Sequence, residues 1–192
     1  ELLLAADRGV RVRFLLDDIF STVSDEELFI LDDHENIEVR LYNPIAKRGV
    51  FYLNFLGDFK RANRRMHNKS FTVDNSATII GGRNIGNEYF DANPTLEFAD
   101  LDVLAVGDIA REVSSSFDLY WNSVWSMPVA ALAMDISADQ VAEGGTNMLA
   151  DLVNNEALAN FQLEPRSWSA ELEALHSSLH IGTAEVVSDL PT

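Results

Sequence analysis

Met66-His67-Asn68-Lys69-Ser70-Phe71-Thr72-Val73-Asp74, followed after six residues by Gly81-Gly82-Arg83-Asn84, carries most of the chemistry of this 192-residue chain. The same stretch decides how the fold is read. Apolar and β-branched residues over Met66–Asp74 and again over Ala77–Ile80 predict two strands joined at Asn75-Ser76. Alternate side chains of a strand share a face, so His67 and Lys69 point the same way, while Asp74 has the opposite parity and lies near the strand end. A nucleophile or base thus stands beside a fixed cation, whose like charge favours the neutral imidazole. Gly81-Gly82 lets backbone approach an anion closely, and the Asn84 amide can donate to an oxygen of the same group. Imidazole, ammonium, carboxamide and bare backbone together suggest a phosphate site. A Ser70-His67-Asp74 hydrolase triad competes, but neighbours on alternating faces of one strand do not form its relay.

Working outward, Glu1–Arg8 is apolar at helical spacing and closed by Gly9. Val10–Leu16 reads as a strand, Glu26–Asp33 as a short helix, and Ile37–Tyr42 as a strand stopped by Asn43-Pro44. This is βα alternation. Leu101–Val106 reads as a further strand ending at Gly107, and Asp108 as the cap of a helix over Ile109–Trp125 that stops before Pro128. Trp121 and Trp125, spaced i,i+4, read as core packing. Beyond Pro128 the pattern is helical. Ser137 and Gln140 have capping-box spacing before a break at Gly144-Gly145, and Leu149, Leu152 and Val153 form an apolar stripe. Leu172, Leu175 and Leu179 form another, with His176 and His180 on a neighbouring face as a surface pair that has no evident third metal ligand. The expected fold class is α/β: a mixed central β-sheet flanked by helices over residues 1–127, then an acidic helical extension over 128–192.

Composition narrows the function classes. Lys and Arg number 14 against 31 Asp and Glu, for a net charge of -17, and 47% of residues are hydrophobic, enough to form a core. Such acidity makes nucleic acid an unlikely partner, because backbone phosphates require a basic surface. No apolar run is long enough to span a bilayer and no basic-then-apolar leader opens the chain, so this segment is expected to be soluble and to meet a membrane from its surface. The absence of cysteine excludes disulfides, thiol nucleophiles and thiolate-bound metals. After residue 127 the sole base is Arg166, whereas Lys60, Arg61, Arg64, Arg65 and Lys69 form a basic run with no intervening carboxylate.

The spacing His67-x-Lys69-x4-Asp74-x6-Gly81-Gly82-x-Asn84 resembles the catalytic HKD motif of the phospholipase D superfamily in both residue type and interval. The flanks Arg64-Arg65-Met66 and Ile85-Gly86-Asn87-Glu88-Tyr89-Phe90 are similar to the bacterial cardiolipin synthases, the C type above all. So are Ala5-Ala6-Asp7-Arg8-Gly9-Val10-Arg11-Val12, Leu15-Leu16-Asp17-Asp18 and Phe98-Ala99-Asp100-Leu101-Asp102. The likeness spans about residues 1–127. It implies a phospholipase D-like sandwich and a two-step phosphodiester exchange that uses no metal or cofactor. His67 would form a phosphohistidine while a histidine from a second motif protonates the leaving alcohol and deprotonates the incoming one. Lys69, Gly82 and Asn84 would hold the phosphate oxygens. Asp100, with Asp102 as fallback, would orient His67; Asp74 would serve the motif more as an anchor than as a chemical group. Arg64 and Arg65 would draw an anionic head group toward the site.

The substrates so implied are phospholipids, phosphatidylglycerol first and phosphatidylethanolamine second. The expected location is bacterial, peripheral to the cytoplasmic side of the inner membrane. Family members build one site from two motifs, yet none of His34, His176 and His180 is followed two residues later by Lys. The chain therefore reads as one half of a longer enzyme, cut at both ends and inactive in isolation, its partner being the second half or another copy of itself. The alternatives are a dimeric phosphodiesterase or nuclease, and an inactive half-domain.

Overall fold

The computed structural model describes residues 2–18, 23–45, 63–84, 100–132, 137–154 and 169–191. Helix α1 (Leu2–Asp7) closes at Gly9, whose φ of +88° requires a residue without Cβ, and the Gly9 N–H returns to the Ala6 carbonyl at 2.8 Å. Strand β1 (Val12–Asp17), helix α2 (Asp25–Asp32) and strand β2 (Ile37–Tyr42) follow. Ser24 and Glu27 form a capping box at the start of α2: the Glu27 N–H donates to Ser24 Oγ at 3.2 Å, and the Ser24 N–H donates to the Glu27 carboxylate at 2.8 Å.

Strands β3 (Ser70–Val73), β4 (Ala77–Gly81) and β5 (Asp102–Val106) precede helix α3 (Asp108–Trp121), strand β6 (Ser126–Pro128) and a single 3-10 turn at Val129–Ala131. Helices α4 (Ala138–Asn154) and α5 (Ser169–Ser178) come last, and an extended segment, residues 179–191, ends the described chain. Among the described residues the strands form two sheets. In the first, β1 and β2 run parallel from Val12↔Ile37 to Asp17↔Tyr42, and β6 joins β2 antiparallel. The second, β3-β4-β5, is antiparallel throughout. The class is therefore the expected mixed α/β.

Ala6, Leu28, Ile37, Val39, Leu41 and Val129 form one buried cluster, so α1, α2 and the 3-10 turn all pack against the first sheet. Because Val129 belongs to this core and β6 straddles residue 127, the expected division there falls within a shared sheet. Helix α3 crosses β3, β4 and β5, with Ala110 and Val113 buried. Its far end is tied to the first sheet, where Arg13 donates to Asp118 at 2.6 Å and Arg40 lies 4.3 Å over the Trp121 ring. One helix thus joins the two sheets.

Several expected boundaries move. Helix α3 ends at Trp121, and the chain turns there to enter β6, which leaves Trp125 outside the helix under Arg64. Asp108 lies in the first turn, bonded to Arg111 at 2.7 Å, while Gly107 at φ +90° takes the capping position. Helix α4 runs unbroken through Gly144-Gly145. A Cβ on Gly144 would meet Ile30 Cδ1 at 2.8 Å, so close packing on α2 outweighs the helix cost of about 1 kcal/mol per glycine. No helix among the described residues is long and apolar enough to cross a membrane.

Candidate active site

The motif residues enter their sheet later than the sequence pattern implies. Strand β3 begins at Ser70, and residues 64–66 upstream of it are held by the ends of β1 and β2 rather than by a strand partner. Asp17, the last residue of β1, accepts the Met66 N–H at 2.8 Å and the Arg65 Nε at 3.0 Å, and Arg65 Nη2 lies 2.8 Å from its other oxygen. The Arg65 guanidinium also donates to the carbonyls of Tyr42 at 3.1 Å and Asn43 at 3.3 Å. Asn43, buried and left-handed at φ +48°, donates from Nδ2 to the Arg64 carbonyl at 2.8 Å. Two parallel strand ends thus clamp residues 64–66, and His67 follows immediately.

This corrects the expected part of Arg65. Its side chain is 16% exposed and its fork is engaged by one carboxylate and two carbonyls, so it ties the motif down rather than facing a head group. Arg64 is exposed and stacks 5.1 Å over the Trp125 ring. Lys60 and Arg61, the rest of that basic run, lie outside the described residues.

His67 is exposed, and the Lys69 ammonium reaches back to it, 3.2 Å from Nδ1 and 3.0 Å from the His67 carbonyl. The pair is brought together on one side of the chain. Burial lowers the Lys69 pKa from its ordinary 10.5, while the carboxylates of Asp100 and Asp17 oppose that by favouring the charged form. Asp100 rests against Gly82, where both carboxylate oxygens come within 2.5 Å of any added Cβ, and it accepts the Leu101 N–H at 2.7 Å. Gly82 is therefore required for that approach. Among the described residues no hydrogen bond joins Asp100 to His67; its carboxylate favours the charged form of Lys69. Asp102 is paired with Arg83 at 2.8 Å, which commits the fallback residue elsewhere. Asn84 is exposed just beyond β4.

Asp74 stands apart from this group. It occupies the tight turn at the opposite end of β3, where Asp74 at φ +51° and Asn75 at φ +53° shape the β3-β4 hairpin and the Ser76 N–H closes on the Val73 carbonyl at 3.0 Å. Its described hydrogen bond is through its backbone carbonyl, from Ser76 Oγ at 3.0 Å. The length of the strand separates it from His67.

A cavity of about 350 Å³ opens between the motif and α3. Met66 to Ser70 form one side; Val113, Phe117 and Tyr120 form another. The third side, Val186–Asp189, belongs to the extended segment, which carried no motif or periodicity to single it out. That segment is strapped along α3 at three points one helical turn apart. The Val186 N–H meets Glu112 at 3.4 Å, Ser116 Oγ donates to Ser188 Oγ at 3.0 Å, and the Tyr120 hydroxyl donates to the Asp189 carbonyl at 3.1 Å. The site is thus polar on the motif side and apolar on the helix side.

Comparison with known proteins identifies the framework that carries this site. The family described as "Cardiolipin synthase, PLD-like domain" matches residues 1–121. The chain belongs to that family. Cardiolipin synthase C of Escherichia coli K12 is 47% identical over 142 residues, covering 74% of this chain and 30% of that protein. An uncharacterized protein of Helicobacter pylori J99 is 37% identical over 198 residues, all of this chain and 39% of that one. Major cardiolipin synthase ClsA of Bacillus subtilis 168 is more distant, at 27% over 122 residues, 63% of this chain and 24% of its own length. The chain therefore spans well under half the length of these relatives. The matched region contains α1, the first sheet's parallel strands, the motif and its clamp, and α3.

Proposed function

We propose that this chain carries one half of a phosphatidyltransferase site, in which His67 attacks the phosphorus of a phospholipid and holds the phosphatidyl group as a phosphohistidine. The observation that carries the reading is the Lys69 ammonium held against the His67 imidazole at the mouth of a half-apolar cavity. The P–O bond to the departing alcohol breaks as the N–P bond forms, and the alcohol takes a proton from a second histidine. The same histidine then deprotonates the incoming alcohol, whose oxygen displaces His67 from phosphorus. Lys69 and Asn84 hold the nonbridging oxygens, where charge builds in the transition state. Gly82 admits Asp100, whose carboxylate supports the charge on Lys69. The clamp of Asp17, Arg65 and Asn43 fixes where His67 stands.

The second histidine comes from outside the cavity described, either from a further segment of a longer chain or from a second copy; His34 is taken up by Asp7 at 3.3 Å. The apolar wall of α3 suits a glycerolipid better than a nucleotide, and the net charge of -17 favours the same choice. Phosphatidylglycerol is the first donor to try, phosphatidylethanolamine the second, presented on a vesicle that the protein meets from one side.

The test is product analysis with phosphatidylglycerol vesicles, run on the 192-residue chain and on a longer form that supplies a second motif, with the mass of each measured by light scattering. Cardiolipin formed by the longer form and lost with His67→Ala is the expected result. An active dimer of the 192-residue chain places the second histidine in another copy. Equal product from His67→Ala rejects the reading.

A further inference from the structure

The contact between Lys69 and His67 fixes a protonation pattern as well as a distance. An ammonium group donates hydrogen bonds and accepts none. With Lys69 Nζ 3.2 Å from His67 Nδ1, a neutral imidazole must present its Nδ1 lone pair, and its one ring proton resides on Nε2. The same ammonium donates to the His67 carbonyl at 3.0 Å, so the lysine grips its neighbour at two points. Asp100 and Asp17 favour the charge of this ammonium, while Asp100 spends one oxygen on the Leu101 N–H and makes no described hydrogen bond to the imidazole. The group that contacts the His67 ring is therefore the lysine.

We propose that Lys69 is a positioning residue for His67: before a phosphoryl group arrives it holds the imidazole in the Nε2–H tautomer, and a phosphoryl oxygen that takes the ammonium releases Nδ1. The inference rests on the reading of His67 and Lys69 as a phosphodiester site. Until the lysine moves, one ring nitrogen is capped and the other carries the proton, so neither offers a lone pair to phosphorus. An anionic phosphoryl oxygen is a stronger acceptor than a neutral ring nitrogen, so its arrival transfers the lysine hydrogen bond without breaking a covalent bond. Tautomer exchange then moves one proton from Nε2 to water and one from water to Nδ1. Net charge is unchanged, and Nε2 gains the lone pair that attack requires. The substrate's own charge thus switches on the nucleophile.

The experiment is ¹⁵N NMR of the His67 ring nitrogens in the 192-residue chain, at a pH where the imidazole is neutral and the lysine charged, with signals assigned by their loss in His67→Ala. The expected resting pattern is a protonated Nε2 and an Nδ1 that accepts a hydrogen bond. Lys69→Met should move the Nδ1 signal toward that of a free lone pair. Inorganic phosphate, brought to saturation and followed at the Lys69 and Asn84 signals, should move it the opposite way, toward a protonated nitrogen, while the Nε2 signal moves toward that of a free lone pair. A resting Nδ1–H tautomer overturns the inference, as does an Nδ1 signal indifferent to Lys69→Met or to saturating phosphate. If phosphate perturbs neither Lys69 nor Asn84, the phosphodiester reading falls instead, and the resting tautomer with the Lys69→Met comparison still decides the role of the lysine.

Discussion

The two sheets bury their apolar residues to very different extents. In the first, Val39 and Leu41 have no exposed surface, and α1, α2 and the 3-10 turn cover one continuous cluster. In the second, α3 covers the face that carries Thr72 and Thr78, joined through their hydroxyls at 2.8 Å. The opposite face leaves Phe71 56% and Val73 47% exposed. The His67–Lys69 motif lies on the seam: the clamp holds residues 64–66 to the first sheet, and the chain then enters the second. Precision in placing His67 is thus drawn from the better-packed sheet, while the residues after Lys69 belong to a looser one. The general lesson is that a site on an irregular segment can be rigid if side chains from a packed sheet satisfy its backbone.

The contrast can be broken from its strong side first. Leu41→Ala leaves a void in the first core and should cost about 4 kcal/mol of stability, read as a shift of the denaturant midpoint. Asp17→Ala strands the Arg65 guanidinium and frees the Met66 N–H, and should cost about 3 kcal/mol in the same measurement, with loss of exchange protection at Met66. Lys69→Ala should leave the midpoint nearly unchanged yet weaken inorganic phosphate binding by about tenfold or more, the scale of one charge-assisted hydrogen bond. Phosphate affinity should also fall as pH rises, because the ammonium is the binding form, and the fall should centre below the ordinary lysine value of 10.5 since burial lowers the Lys69 pKa. Asp100→Asn removes a carboxylate that favours the ammonium, so it should move that fall to lower pH still. Phe71→Ala tests the loose side and should change stability by no more than about 0.5 kcal/mol. A large cost there would mean that the exposed face is covered in solution.

What was legible in the sequence was what local pattern controls. Strand β2 has the bounds its alternation implies, and Gly9 ends α1 because no side chain tolerates its φ. The shared face of His67 and Lys69 followed from a two-residue interval, even though the two precede the strand proper. Partners far apart in sequence were not legible. Arg65 read as a surface base because Asp17 lies 48 residues away, and local charge pattern does not reveal a pair at that separation. Asp100 was expected at the imidazole, but its described hydrogen bond is to the Leu101 N–H, a local turn that strand parity does not foresee. Gly144-Gly145 read as a break because propensity carries no knowledge of the Ile30 side chain that makes glycine fit.

The strap along α3 has a consequence for how such a pocket diverges. Two of its three ties use strap backbone, the Val186 amide and the Asp189 carbonyl, and any residue except proline at position 186 supplies the same groups. Substitutions at 186 and 189 can therefore accumulate without detaching the segment, while His67, Lys69 and their clamp stay as they are. The wall can thus change its side chains while its ties hold, so the lining of the cavity and the placement of His67 are set by separate parts of the chain.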